Sequence, residues 1–204
     1  PYKVFSNIPF NITSTVIKRL TESEQLQEAY LIVQKEAAKK FIGKPYDTAN
    51  SQMAVLIKPF FNLGIVYEFS KDDFTPRPNV DIALLKINKN SNPEVEMQNK
   101  SIYQDFVVYA FNQFKPNIVD GLSSVMGRSN LLRLSSELKF SPSSKPSQLD
   151  SEQWIGLFNY LIKNNRNKLG VVKGSFSKLK QQQSKLEKIN RTRVDKGWKK
   201  FRKN

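Results

Sequence analysis

The chain has 204 residues, 39% of them hydrophobic and 25% charged, which suits a folded core in one mid-sized or two small domains. It has no cysteine and no histidine, so disulfides, zinc-thiolate sites, thiol nucleophiles and imidazole acid–base chemistry are all excluded. The net charge of +15 is uneven: residues 1–162 hold 18 Lys/Arg against 16 Asp/Glu, and residues 163–204 hold 15 against 2. Such a cationic end suits a polyanion such as RNA, or serves as a solubilising tail. No apolar run is long enough for a membrane span and no signal peptide pattern is present, so a cytoplasmic protein is expected. Because the chain opens on Pro1-Tyr2-Lys3-Val4-Phe5, already an apolar segment, a fragment lacking its N-terminal part is expected.

Residues 2–6 read as a strand running into Asn7, and a helix starts at Thr13 or Ser14 with Val16, Ile17 and Leu20 on one face. Residues 28–34 are a nearly continuous apolar run, as in a strand covered on both faces. A basic segment follows at 35–40. A helix is expected over 49–58 and strands over 60–69 and 80–88, separated by Phe74-Thr75-Pro76-Arg77-Pro78, which its prolines bar from regular structure. Alternating strands and helices predict an α/β sheet with crossovers. Beyond the polar stretch 88–93 the pattern is helical. One helix covers 98–114 with Ile102, Phe106, Tyr109, Ala110 and Phe114 in a stripe, and another starts at Asp150-Ser151-Glu152 and carries Trp154, Ile155, Leu157, Phe158 and Leu161. The expected division is 1–92, 93–165 and a basic tail 166–204. Residues 175–204 have too few apolar side chains to offset their ordering entropy, so disorder, or helix only on binding, is expected there. Trp198 and Phe201, set among Lys196, Lys199, Lys200 and Lys203, suit base stacking with phosphate neutralisation as well as an incidental tail.

Asn7-Ile8-Pro9-Phe10 follows a strand directly, and ligands of open α/β sheets bind beyond the carboxyl ends of strands. Its groups suit adenine. The Asn carboxamide and a backbone carbonyl beside the proline can accept from the exocyclic amino group, and the aromatic ring can stack on a base turned out of its helix. Such positioning supplies rate without a deprotonating base, which a chain with no His or Cys requires. Read alone, the tetrapeptide also suits a strand end closed by an Asn turn with Phe10 in the core.

In context, Val4-Phe5-Ser6-Asn7-Ile8-Pro9-Phe10-Asn11-Ile12-Thr13 closely resembles motif IV of the rRNA adenine N6-methyltransferases, including their erythromycin-resistance (Erm) branch. Glu28-Ala-Tyr-Leu-Ile-Val-Gln-Lys-Glu-Ala-Ala-Lys-Lys-Phe41 resembles that family's next strand and basic helix start. Phe74-Thr-Pro-Arg-Pro-Asn-Val-Asp81 resembles its later signature, and Leu149-Asp-Ser-Glu-Gln-Trp-Ile-Gly-Leu-Phe158 its final helix. The resemblance covers roughly residues 2–165. It implies the C-terminal portion of a Rossmann-like, S-adenosylmethionine-dependent methyltransferase sheet, followed by a small all-helical rRNA-binding domain and a basic tail.

The resemblance also implies roles. Asn7 would orient the target amino group and border the cofactor's methionine end. Ile8 and Pro9 would offer backbone contacts to that group, and Phe10 would stack on the flipped adenine. Phe74 would enclose the base, its alternative being a loop-anchoring core ring. Lys35, Lys39, Lys40, Arg77, Lys199 and Lys200 would be RNA contacts, although each also suits a solvated surface charge. The implied partner is rRNA, free or partly assembled, bound by a monomer without metal. The Erm branch, acting on 23S rRNA and conferring macrolide–lincosamide–streptogramin B resistance, is favoured by Ile8 and by the tyrosine-containing Ala29-Tyr-Leu-Ile-Val33. The alternatives are the housekeeping 16S rRNA dimethyltransferase and a noncatalytic RNA-binding relative. The family's glycine-rich cofactor loop does not precede Asn7, so these 204 residues alone are expected not to transfer methyl groups.

Overall fold

Alternation along Leu26–Gln34 sets the sheet. In this strand Ala29, Leu31 and Val33 are fully buried, while Glu28, Tyr30, Ile32 and Gln34 face the other way and keep partial exposure. The computed structural model describes residues 1–43 and 51–185. Its sheet has four strands, β1 (Tyr2–Asn7), β2 (Leu26–Gln34), β3 (Phe61–Phe69) and β4 (Ile82–Lys89), in the order β1-β2-β4-β3. β1 runs parallel to β2, and β4 runs antiparallel to both β2 and β3. The parallel pair needs a crossover, which helix α1 (Thr13–Glu22) supplies. The carboxyl ends of β1, β2 and β3 therefore share one edge of the sheet with the start of β4.

Helix α1 and helix α2 (Lys35–Ile42) pack on the sheet, contributing Ile17, Ala38 and Phe41 to the core. The opposite face is not covered by any described element. There Phe5 is 72% exposed, and Tyr30, Ile32 and Leu84 are half-buried. The two-sided burial expected for residues 28–34 is thus corrected. Tyr30 and Ile32 extend the apolar run, but they lie on this open face.

Helix α3 (Gln52–Ile57) leads into β3, its start capped by the Ser51 hydroxyl accepting from the Ala54 N–H at 3.2 Å. Of the helix expected over 49–58, residues 49 and 50 lie outside the described residues. The helical part comprises α4 (Lys100–Phe111), α5 (Ile118–Met126), α6 (Arg128–Glu137) and α7 (Ser151–Asn164). α7 opens on a reciprocal cap: Asp150 accepts from the Gln153 N–H at 2.8 Å, and the Gln153 carboxamide accepts from the Asp150 N–H at 2.9 Å. Trp154, Leu157, Phe158 and Leu161, spaced at helical intervals, are all buried. They meet the α4 stripe edge-on, with Tyr103–Phe158 centroids 5.2 Å apart and Phe106–Trp154 centroids 5.9 Å apart. On another side of α7, Gly156 permits close approach to the end of α6, since a Cβ there would sit 2.5 Å from the Leu138 side chain. The buried core is continuous across residue 92. Tyr103 of α4 donates to the Val55 carbonyl at 3.0 Å and packs on Phe60.

Two expectations fail here. α4 stops at Phe111, and Phe114 leaves the stripe with 96% exposure and a φ of 51°. Pro116 lacks an N–H and disfavours helical backbone before it, so the chain must turn. The second failure is the disorder expected over residues 175–204, as far as residue 185; those beyond lie outside the described residues. Helix α9 (Ser175–Lys185) forms there and, with helix α8 (Leu169–Val172) before it, docks on α4. Val172 is fully buried, and Phe176 and Leu179, one turn apart, pack against the core. A few apolar residues suffice because they share one face. The buried carboxylate of Asp105 on α4 adds a polar anchor, accepting from the Gly174 and Phe176 N–H groups, each at 2.9 Å. Gly174, at φ 83°, makes the turn that aims those groups at it.

Candidate functional site

Asn7 ends β1 opposite Ile32 of β2, on the open face of the sheet. Its carboxamide is exposed and has no hydrogen-bond partner among the described residues. Ile8 is 6% exposed and roots the loop in the core. Pro9 then turns the chain into a 3-10 segment, Phe10–Ile12, that runs into α1. The Pro9 carbonyl accepts from the Ile12 N–H at 3.1 Å. The Ile8 carbonyl has no such partner among the described residues. Phe10 is 39% exposed and makes no ring contact there, so its place is the surface of the loop and not the core.

Phe74 sits at the same edge, in the loop between β3 and β4. Its ring meets Phe69 edge-on at 5.4 Å, and Phe69 meets Tyr67 at 4.9 Å. Phe74 thus anchors its loop in this structure. β1 and β3 lie three strand spacings apart, roughly 14 Å, so Phe10 and Phe74 flank a space and do not touch. The loop is tied to α2 by the Lys35 N–H, which donates to the Asp81 carbonyl at 2.9 Å.

Three of the predicted cations have acidic partners. Lys35 pairs with Glu68 at 2.7 Å, Lys39 with Glu36 at 2.9 Å and Arg77 with Asp72 at 3.2 Å. Exposed pairs of this kind hold weakly. Lys40 is exposed and has no carboxylate partner among the described residues. Lys199, Lys200, Trp198 and Phe201 lie outside the described residues.

The open face carries a charged cluster that sequence reading missed. Glu28 contacts Lys86 at 2.9 Å and Lys3 at 3.3 Å, and it accepts from the Tyr30 hydroxyl at 3.1 Å. The Lys86 hydrogen bond, then the Tyr30 one, hold the Glu28 carboxyl down to about 2, and Glu28 in turn raises Lys86. Lys3–Glu28 and Tyr30–Lys86 are cross-strand partners, a relation that appears only once the register is known. Asp105 was also missed, though its signal was present: one acid set against Phe106-Val107-Val108.

Among the described residues there is no group of three or more acidic side chains placed to hold a metal, and no helix long and apolar enough to cross a membrane. The described glycines form no glycine-rich turn after a strand. Gly64 lies inside β3, Gly121 and Gly156 lie inside helices, and Gly127 and Gly174 lie at helix ends.

The site and the sheet have relatives. A family model described as ribosomal RNA adenine dimethylase matches residues 1–163. The ribosomal RNA small subunit methyltransferase A of Mycoplasmopsis pulmonis is 27% identical over 158 residues, 77% of this chain and 62% of its own length. The protein of the same name from Enterococcus faecalis is 26% identical over 170 residues, 80% of this chain and 58% of its own. This chain thus spans about six tenths of the length of these curated relatives. The crystal structure of the 23S rRNA methyltransferase ErmE matches with a TM-score of 0.71 and 24% identity, over 80% of this chain and 66% of that one. A dimethyladenosine transferase from Plasmodium falciparum matches with a TM-score of 0.59 and 18% identity, over 80% of this chain and 69% of that one. At such identities the two structures establish a shared α/β methyltransferase fold. With the family match running from β1 through α7, the chain belongs to the ribosomal RNA adenine dimethylase family.

Proposed function

We propose that this chain carries the target-base half of an S-adenosylmethionine-dependent N6-methylation of adenine in 23S rRNA. The observation that carries the proposal is the loop Asn7–Phe10. Its carboxamide, one carbonyl and its ring have no partner among the described residues at the carboxyl end of β1, while the buried Ile8 roots it in the core. The Asn7 side-chain oxygen and the Ile8 carbonyl accept the two hydrogens of the adenine amino group. The Pro9 carbonyl is already engaged by Ile12, which makes Ile8 the better second acceptor. Two acceptors fix the nitrogen lone pair in one direction, and Phe10 holds the base plane by stacking. Phe74 closes the far side of the space.

The free carboxamide of Asn7 fits a contact to the cofactor's amino-acid end. Bound S-adenosylmethionine supplies the electrophilic methyl group. The rest of its pocket is assigned to the portion of the relatives' length outside this match. Lys35, Lys39, Lys40 and Arg77 surround the loop edge and serve as phosphate contacts, with Lys199 and Lys200 in the same role from the basic end. Action on cytoplasmic rRNA as a monomer completes the reading. Modification of 23S rRNA would block macrolide, lincosamide and streptogramin B binding. Ile8 and Ala29-Tyr-Leu-Ile-Val33 support the 23S choice. A second reading, methylation of 16S rRNA, is favoured by the names of the curated relatives.

The test uses the intact protein, labelled S-adenosylmethionine, and 16S and 23S rRNA in separate reactions. N6-methylated adenine in 23S rRNA, with macrolide resistance in an expressing host, is expected. Label confined to 16S rRNA would select the second reading, and label in neither would refute the enzymatic proposal.

A further inference from the structure

At the edge of the sheet opposite the loop Asn7–Phe10, a cleft of about 430 Å³ opens between the starts of β2 and β3, the end of β4 and the start of α4. Gln27 of this cleft and Ile32, the partner of Asn7, lie roughly 17 Å apart along β2, so the two places are separate. The polar run after β4 forms one wall. The Asn90 N–H donates to the Phe60 carbonyl at 2.8 Å and the Glu94 N–H to the Pro59 carbonyl at 3.1 Å, which clamp that run against the start of β3. Lys89 closes the side toward α1, its amine donating to the Glu24 carbonyl at 2.5 Å.

The lining combines apolar, amide and cationic groups. Phe60, Phe61 and Pro93 give an apolar floor, and the exposed Met97 adds a thioether. The carboxamides of Gln27 and Asn88 have no hydrogen-bond partner among the described residues. Lys100, the first residue of α4, places a half-buried amine 5.2 Å from the centre of the Phe60 ring. That amine has no carboxylate in ion-pair contact among the described residues. Burial pushes it below the ordinary lysine range, opposed first by Glu24, with Lys89 adding to the depression. An anion beside Lys89 and Lys100 offsets that. Glu24 is the one carboxylate of the lining among the described residues.

We infer that this cleft is a second ligand site, which takes a nucleoside monophosphate. The phosphate seats beside the Lys89 and Lys100 amines, where charge-assisted hydrogen bonds are strongest. The base lies on the apolar floor, and the carboxamides of Gln27 and Asn88 meet its edge. Each carboxamide offers both a donor and an acceptor, as the edge of a heterocycle requires and a simple carboxylate does not. The volume lies near the lower end of ligand-holding clefts of about 300–1,000 Å³, which fits one nucleotide and not a strand. β3 and α4 both line the cleft, so the ligand joins the sheet to the helical part. The inference goes beyond the methylation reading and does not depend on it.

The test titrates AMP, GMP, CMP and UMP calorimetrically into the full chain, beside their unphosphorylated nucleosides and inorganic phosphate. Saturable one-to-one binding of at least one monophosphate is expected, about tenfold or more tighter than its nucleoside or phosphate alone. Lys100→Gln should weaken that binding on the order of tenfold or more. Met97→Glu, at an exposed position, should weaken it comparably by setting a carboxylate against the anion. Glu24→Gln should tighten it several-fold, a gain that misfolding cannot produce. Lys163→Gln, outside the cleft, and Phe10→Ala, in the base-binding loop, should both leave it unchanged. Absence of saturable binding by every monophosphate would overturn the inference. So would equal binding of nucleoside or inorganic phosphate, unchanged affinity in Met97→Glu, or no gain from Glu24→Gln. Loss of binding in Phe10→Ala would place the nucleotide in the base-binding loop and overturn it as well.

Discussion

The aromatic residues of this chain fall into two populations with opposite duties. In the helical part, Tyr103, Phe106, Trp154 and Phe158 are fully or almost fully buried and pack edge to edge. At the sheet edge, Phe10 is exposed on a loop, and Phe74 is half-buried against Phe69. The first set holds the fold together by area removed from water. The second lies on loops rooted by buried or packed neighbours in the chain, Ile8 two residues before Phe10 and Phe69 beside Phe74, and keeps ring surface exposed. The difference teaches that ring type does not assign a role here. What separates the sets is whether the ring sits in a helical stripe or follows a strand end.

The comparison breaks most visibly if a core ring is removed. Phe106→Ala should destabilise the chain by about 3–5 kcal/mol in urea unfolding, because the packed helices cannot collapse into the void. A loss below about 1 kcal/mol would show that the helical core is not jointly packed. Asp105→Ala comes next, at about 1.5–3 kcal/mol, since two N–H groups lose a charged acceptor. Hydrogen exchange should then accelerate at Gly174 and Phe176 more than in α7. Uniform acceleration would mean that the carboxylate serves the whole core and not the docking of α9.

The pH dependence is a subtler effect. Glu28 has a depressed carboxyl, so its contribution is present above the ordinary value of 4.5 and is lost as pH falls toward about 2. The melting temperature of the unaltered chain should therefore drop more steeply across that window than that of Glu28→Gln. Parallel curves would show that the cluster on the open face contributes nothing. The smallest effect belongs to Phe114, the stripe residue that the helix leaves out. Phe114→Ser should change stability by no more than about 0.5 kcal/mol, and a larger loss would return this ring to the core set.

Much of the sheet is legible in the sequence because its strands are short apolar runs bounded by turn residues. The loop proposed to hold the target base stands out because Asn7–Phe10, at the end of β1, have groups complementary to adenine. α7 announces itself through Asp150 and its helical stripe. Other features are not legible, each for a physical reason. The end of α4 is decided by Pro116, which outweighs an apolar spacing that continues to Phe114. The docking of α9 depends on Asp105, sixty-nine residues before Gly174 in sequence. The open face of β2 is hidden because Tyr30 and Ile32 are as apolar as the buried residues they alternate with. The contrast between Pro9 and Ile8 as acceptors likewise needs the hydrogen bond from Ile12 to be seen.

The central claim is that the loop Asn7–Phe10 presents an rRNA adenine for N6-methylation. Its most direct test compares the intact protein with its Phe10→Ala variant, measuring transfer of labelled methyl from S-adenosylmethionine to rRNA adenine. Stacking worth roughly 1–3 kcal/mol predicts a loss of about five- to 150-fold in turnover efficiency, with the unfolding midpoint nearly unmoved because the ring is exposed. Equal turnover by the two proteins would contradict the claim.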